Sequence, residues 1–171
     1  MLKAITQFVG LMISNQSKYD HYLKGKETFT EDETKGLKLF EQKCASCHRG
    51  ALLTDNTYRN NGLKVDSSLN DIGRGLITGK KEDYYTYKVP TLRNIERTYP
   101  YMHDGRFGKL KSVLNHYGNP DNFSENSDPL LKKIGVLTYE EKQQIISFLY
   151  TLTDYEFLRD KRFIDPNFKR Y

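Results

Sequence analysis

Residues 44–48 of the 171-residue chain read Cys-Ala-Ser-Cys-His, and they contain both of its cysteines. Two thiols at this spacing on one helical turn can each add to one vinyl group of a haem. The imidazole that follows then lies beneath the iron. The sequence therefore predicts one covalent haem c held by Cys44 and Cys47, with His48 as the proximal iron ligand.

Other interpretations of a Cys-x-x-Cys pair fit this chain less well. A four-ligand zinc site needs a second Cys/His pair at short spacing, and the sequence has none. A thioredoxin-like pair would follow a strand, whereas residues 34–43 have helical periodicity. A disulfide across two intervening residues would close a very small loop and stabilise the fold little.

The composition limits the size of the hydrophobic core and the kinds of partner that the chain can bind. Apolar residues make up 37% of the chain, which is low for a self-sufficient core of this length. Thirteen tyrosines and nine phenylalanines argue against disorder. The net charge of +5 is scattered among acidic residues, which favours an acidic redox partner over nucleic acid. No apolar run approaches the about 18 residues of a transmembrane helix, so no such segment is expected.

Two capping boxes mark where the main helices begin. Thr30 precedes Glu33 ahead of the haem motif, and Thr138 precedes Glu141 ahead of a later apolar helix. A glycine permits close approach of two helices, and an aromatic ring fills the gap beside it. The residues suited to such a crossing are Gly36, Phe40, Phe148 and Leu149. The pattern predicts an all-α, cytochrome c-like domain with long haem-wrapping loops.

The remaining segments divide the chain into three parts. The predicted elements are a helix at 2–14, a linker at 15–29, loops at 49–92, a short helix between Pro90 and Pro100, and a helix from Leu110 to near Tyr117. We therefore expect a leading helix and linker at 1–29, a haem domain at 30–155 and a tail at 156–171.

The N-terminal stretch bears on export. Haem c is attached outside the bacterial inner membrane, so we expect a periplasmic protein. Residues 1–14 have a short basic start and an apolar stretch, but no Ala-x-Ala cleavage site follows. The apolar face formed by Ile5, Phe8, Val9 and Met12 predicts packing on another domain. We expect that Met1 is not the natural start and that the chain is part of a longer exported protein.

The stretch from Lys88 to Gly105 contains Val-Pro-Thr-Leu-Arg-Asn and Pro-Tyr-Met-His-Asp-Gly. It resembles the second haem domain of the bacterial di-haem cytochrome c peroxidase/MauG family. The Ser-Lys-Tyr-Asp-His-Tyr-Leu-Lys-Gly segment and the Lys-Gly-Leu-Lys-Leu-Phe run before the haem motif match in the same order. The resemblance covers about residues 1–155. It implies the C-terminal, electron-transfer haem domain of a longer oxidoreductase.

The resemblance implies a division of labour in the parent protein. This domain would take electrons from a small redox donor and pass them to a peroxidatic haem in an N-terminal domain, which reduces hydrogen peroxide to water. No catalytic residue is expected in this chain, which alone should be a poor peroxidase. The alternatives are a MauG-like oxidase acting through high-valent iron and a mono-haem cytochrome c electron carrier. Association as a homodimer is a further expectation.

The distal iron ligand is also implied by the resemblance. The family places it fourteen residues after the histidine that corresponds to His103, and in this chain that position is Tyr117. Met102 is the runner-up and His116 a further candidate, in which case Tyr117 would only pack on the haem. A phenolate is a hard, anionic ligand that favours ferric iron, so Tyr117 predicts a lower reduction potential than a methionine ligand would give.

Four other residues receive roles from the resemblance. His103 is expected to form a hydrogen bond at the haem, or else to be a polar turn residue. Arg93 can pair with a haem propionate, or form an ordinary surface salt bridge. The backbone carbonyls of Thr98 and Pro100 are expected to bind a calcium ion between two domains. Its side-chain ligand would come from the other domain, so this chain alone should hold the ion weakly.

Overall fold

The computed structural model describes residues 2–123 and 126–163. The helices and strands are α1 (Leu2–Gly10), α2 (Lys18–Leu23), α3 (Glu31–Lys43), β1 (Tyr58–Arg59), α4 (Gly75–Thr78), β2 (Tyr87–Lys88), α5 (Leu110–Tyr117), α6 (Tyr139–Tyr150) and α7 (Tyr155–Leu158). The two short strands pair in antiparallel fashion. The predicted all-α fold class is confirmed. Within the described ranges, no helix has the length and apolar character needed to cross a membrane.

Both long helices begin at the predicted capping boxes. The hydroxyl of Thr30 accepts a hydrogen bond from the backbone N–H of Glu33, whose carboxylate accepts one from the Thr30 N–H at 2.7 Å. Thr138 and Glu141 form the same reciprocal pair at the start of α6. Amide groups that have no partner within the helix are thereby satisfied, which fixes where α3 and α6 begin.

The centre of the fold is the predicted crossing of α3 and α6. At Gly36 an added Cβ would overlap the carbonyl oxygen of Gln144 and lie 2.9 Å from the Cβ of Phe148. Phe148 has no exposed surface, and its ring centroid lies 4.9 Å from that of Phe40. The absence of a side chain at Gly36 therefore permits the close approach, and the two rings fill the space beside it.

The N-terminal segment differs from the prediction. Helix α1 ends at Gly10 rather than at residue 14, and the predicted linker contains α2. Ser17 and Asp20 form a capping box at the start of α2 and are both buried. These two polar side chains form hydrogen bonds with each other inside the structure, whereas residues 23–28 of the predicted linker are exposed.

The short helix predicted between Pro90 and Pro100 is reduced to a 3-10 turn at Ile95–Arg97. Asn94 has a φ of 60°, which no α-helix contains. Its backbone N–H donates to the carbonyl oxygen of Leu152 at 3.0 Å, and its side-chain oxygen accepts from the N–H of Asp154 at 2.8 Å. Hydrogen bonds to the residues that follow α6 thus override the local helical pattern.

The tail predicted at 156–171 begins inside α7, and residues 164–171 lie outside the described residues. The rings of Phe8 and Phe163 meet edge to face at 5.8 Å. The described part of the tail therefore contacts α1, whose apolar residues are otherwise largely exposed.

We expect Gly36→Ala to lower the free energy of unfolding by about 1–3 kcal/mol, because the new methyl group must push α3 away from α6. Thermal unfolding of the haem-loaded protein measures this. Gly10→Ala is the matched control, since an added Cβ there meets nothing within 4 Å. Equal effects of the two substitutions would contradict the close crossing.

Candidate haem site

A cavity opens beside the Cys-Ala-Ser-Cys-His segment at the end of α3. It contains about 840 Å³ of empty space, part of which is open solvent. The haem motif, the β1–β2 ladder, the end of α5, residues 128–137 and α6 contribute to its walls. Lining residues that matter below are Cys44, Cys47, His48, Arg59, Asn61 and Tyr117.

The two cysteines lie side by side at this cavity. The Cys44 N–H donates to the carbonyl oxygen of Phe40 at 2.8 Å, and the Cys47 N–H donates to that of Cys44 at 3.2 Å. Both thiols are free. Burial raises the pKa of the Cys44 thiol to about 12. The backbone thus holds two thiols on one turn, in the arrangement that two thioether bonds to one haem require.

His48 is oriented by a backbone partner. Its Nδ1 lies 3.2 Å from the carbonyl oxygen of Leu53. Burial lowers the pKa of the imidazole, so near neutral pH the ring carries one proton. That proton lies on Nδ1, because only a donor can face the carbonyl. A backbone carbonyl that holds one ring nitrogen is the arrangement found in histidines that bind metals through the other nitrogen.

The structure separates the candidate distal ligands. Tyr117, at the end of α5, lines the cavity, whereas Met102 and His116 do not, and all three belong to the described residues. His116 Nε2 lies 3.0 Å from the carbonyl oxygen of Asn61. The Asn61 Nδ2 lies 3.6 Å from the sulfur of Met102. Tyr117 is therefore the one of the three that borders the same space as the haem motif.

The Tyr117 hydroxyl lies in dry surroundings. Burial raises its pKa to about 12, and a side-chain hydrogen bond with Asn61 acts in the opposite direction. Without a metal the group is a neutral phenol at ordinary pH. A nearby cation of high charge, such as ferric iron, would stabilise the phenolate instead.

His103 reaches the cavity only through a neighbour. Its ring stacks on that of Tyr87 with centroids 3.7 Å apart and planes 9° apart, and Tyr87 lines the cavity. His103 Nε2 also lies 3.9 Å from a carboxylate oxygen of Asp71. A hydrogen bond from His103 to a haem stays a prediction.

Arg93 lies outside the cavity wall. Its two terminal nitrogens donate to the carboxylate of Asp20, each at 2.9 Å, and its Nε donates to the carbonyl oxygen of Ala51 at 2.8 Å. Arg93 therefore forms a largely buried salt bridge, and its pairing with a haem propionate stays a prediction. The salt bridge ties α2 to the loop that follows the haem motif.

Arg59 is a cavity residue that the sequence analysis missed. Its terminal nitrogens donate to Asp55 and Asp128, each at 2.7 Å. Its Nε is buried and has no hydrogen-bond partner among the described residues. An unpaired buried donor costs about 1–3 kcal/mol, so an acceptor on a bound molecule would stabilise it. A haem propionate carboxylate has this chemistry, and the thiols, the imidazole and this donor together fit haem c.

The calcium prediction has limited support. Thr98 and Pro100 are both exposed. Among the described residues no group of three or more His, Cys, Asp or Glu side chains is arranged to hold a metal ion. Calcium binding at these two carbonyls stays a prediction that needs ligands from elsewhere.

Comparison with known proteins identifies relatives over most of the chain, although no family model matches it. Cytochrome c551 peroxidase of Nitrosomonas europaea is 35% identical over 155 residues, which covers 88% of this chain and 43% of that protein. Methylamine utilization protein MauG of Methylorubrum extorquens is 31% identical over 157 residues, covering 87% and 42%. The crystal structure of a MauG-like protein associated with microbial copper homeostasis matches with a TM-score of 0.81 and 33% identity, covering 90% and 52%.

These relatives confirm the family predicted from the sequence. The chain is homologous to the cytochrome c peroxidases and MauG proteins, and the named peroxidases among them are oxidoreductases. It spans less than half the length of these curated relatives. The likeness therefore concerns one part of a larger protein.

We expect Asp20→Asn to weaken the fold without changing the haem. Burial raises the pKa of Asp20, but hydrogen bonds from Arg93 and Ser17 outweigh this and lower it to about 2. A lowered pKa stabilises the folded state above the unfolded pKa of about 4. This contribution of about 2 kcal/mol is lost as the pH falls from about 4 towards 2. Urea unfolding of the haem-loaded protein across this pH range measures it.

The Asp20→Asn variant should lack this part of the pH dependence and keep the wild-type absorption spectrum and reduction potential. Asp121→Asn, at an exposed carboxylate, is the control. A shift in the reduction potential of Asp20→Asn would instead indicate that the released Arg93 interacts with the haem.

Proposed function

We propose that this chain is the electron-transfer haem c domain of a longer oxidoreductase of the cytochrome c peroxidase/MauG family. The observation that carries the proposal is one cavity bordered by Cys44, Cys47, His48 and Tyr117. When bound, haem supplies a one-electron ferric/ferrous couple. The homology to cytochrome c peroxidases and MauG supports the assignment.

Each residue of the site has a distinct task. Cys44 and Cys47 fix the cofactor covalently, so it is not lost when its charge changes. His48 offers Nε2 while the Leu53 carbonyl holds the ring. The Arg59 Nε supplies a donor for a carboxylate of the cofactor. Apolar walls limit the access of water, and this in turn tunes the reduction potential.

Tyr117 is the distal ligand in this proposal. Its support is its position in the cavity wall, together with the contacts that Met102 and His116 make elsewhere. A phenolate stabilises ferric iron more than a thioether does, so the domain should have a low reduction potential. A low reduction potential suits a haem that donates electrons. It also suits a haem that shares an oxidised state with a second haem.

In the parent protein, this domain would receive electrons from a small redox donor and pass them to an N-terminal peroxidatic haem domain, where hydrogen peroxide is reduced. The greater length of the relatives supports a further domain. The exposed apolar residues of α1 provide a surface for it. A periplasmic location follows from haem c attachment, and calcium would lie between the two domains.

A MauG-like oxidase, which acts through high-valent iron, is the second candidate. Tyr117 in the cavity favours it, because an anionic ligand stabilises higher oxidation states of iron. A mono-haem electron carrier is less well supported, since the exposed apolar face of α1 would then have no partner.

Electron exchange and peroxide turnover test the proposed function. In stopped-flow experiments, the haem-loaded chain should exchange electrons with a small cytochrome c. Its peroxide turnover should be below that of a free haem peptide carrying the same five-residue motif, because His48 and Tyr117 would both hold the iron and leave no position open for peroxide. No electron exchange, or turnover above that of the peptide, would contradict an electron-transfer domain.

We expect Tyr117→Phe to remove phenolate vibrations from the resonance Raman spectrum of the ferric protein and to raise the reduction potential, because the anionic ligand is lost. Met102→Leu, the control, should leave both unchanged. A far-red methionine–iron band in the wild type that disappears in Met102→Leu would show that the Tyr117 assignment is wrong.

A further inference from the structure

Asn61 interacts with all three candidate distal ligands. Its backbone carbonyl oxygen lies 3.0 Å from His116 Nε2, and its side-chain Nδ2 lies 3.6 Å from the sulfur of Met102. Its side chain also interacts with the Tyr117 hydroxyl and lowers the pKa of that group. One residue thus connects the three side chains that could reach an iron opposite His48.

The orientation of Asn61 is fixed by its own loop. Its Oδ1 accepts a hydrogen bond from the Leu63 N–H at 3.2 Å, so the NH₂ end of the amide must face Met102. The preceding residue, Asn60, accepts from the Gly62 N–H through its side chain at 2.9 Å. The Asn60 carbonyl also accepts from the Asp128 N–H at 2.9 Å. The amide is therefore held in place before any cofactor binds.

Asn61 also forms part of the cavity wall. It lines the cavity together with Tyr117, whereas neither Met102 nor His116 does. His116 Nε2 faces a carbonyl oxygen and must carry its proton there, so this nitrogen has no lone pair for a metal. The Met102 sulfur accepts a weak hydrogen bond from the Asn61 side chain. Both alternative ligands are therefore engaged by a residue of the cavity wall.

We propose that Asn61 is a positioning residue that selects the distal iron ligand: it retains Met102 and His116 and leaves Tyr117 facing the haem. This inference rests on the proposed haem site and deepens it. A purely structural role for Asn61 would predict a loss of stability with no change in the identity of the ligand.

The first test removes the selected ligand and leaves Asn61 in place. Ferric, haem-loaded Tyr117→Phe should lose the phenolate vibrations and gain an open distal position that binds added cyanide or imidazole. It should show no methionine–iron or second histidine–iron signature, because Asn61 still retains both groups. If Met102 or His116 replaces the phenolate in this variant, the selection proposal is overturned while Tyr117 ligation stands.

The second test removes the Asn61 side chain from the cavity wall. Asn61→Ala should lose part of the phenolate signature, gain a far-red methionine–iron band and shift the reduction potential upwards. The far-red band and the upward shift should both disappear in the Asn61→Ala/Met102→Leu double variant. Met102→Leu alone, the matched control, should match the wild type.

Two outcomes of this second test overturn the proposal. One is an Asn61→Ala spectrum and potential equal to those of the wild type, and the other is a change that persists in the double variant. If Asn61→Ala does not fold, the Tyr117→Phe result decides alone. Should Tyr117→Phe leave the wild-type spectrum intact, Tyr117 is not a ligand and selection fails with it. Haem attachment and electron exchange are then judged separately by the stopped-flow experiment.

Discussion

The end of α3 places two thiols and a neutral imidazole on one side of a cavity, and the surrounding structure depends on what fills that space. Helix α6, residues 128–137 and the β1–β2 ladder all contribute side chains to the walls of this cavity. A chain with 37% apolar residues has little other material for a core of this size. A covalently bound porphyrin would supply the missing contacts.

The crossing of α3 and α6 links the protein core to this site. Gly36 lets the helices approach, and Phe40 and Phe148 then pack beside it. The carbonyl oxygen of Phe40 accepts the hydrogen bond from the Cys44 N–H. The packing that stabilises the fold therefore also positions the first cysteine. Helix α5 ends at Tyr117, which lines the same cavity, so the C-terminal ends of two helices border it.

Sequence patterns predicted the features that depend on neighbouring residues. The haem motif, the two capping boxes and the helix ending at Tyr117 are local patterns, and the structure contains each of them. Gly36 could be identified as a helix-crossing residue because a glycine inside an amphipathic helix has few purposes other than to let a second helix approach closely. The cytochrome c-like fold followed from these signals.

Most features that sequence patterns did not predict depend on contacts between distant segments. Helix α2 begins at a local Ser17–Asp20 capping box that the sequence analysis overlooked, and Asp20 also pairs with Arg93, more than seventy positions away along the chain. Arg59 joins the site through Asp128, and no motif marks either residue. Asn61 acts partly through its backbone carbonyl, which any residue possesses, so its identity alone carried no signal.

The most direct test of the haem account is intact-mass spectrometry of protein matured in a bacterium that attaches haem c. The account predicts a mass increase of one haem, with neither Cys44 nor Cys47 available to a thiol-alkylating reagent after denaturation. Two alkylated cysteines and no porphyrin adduct would contradict the account and remove the basis for every ligand assigned above.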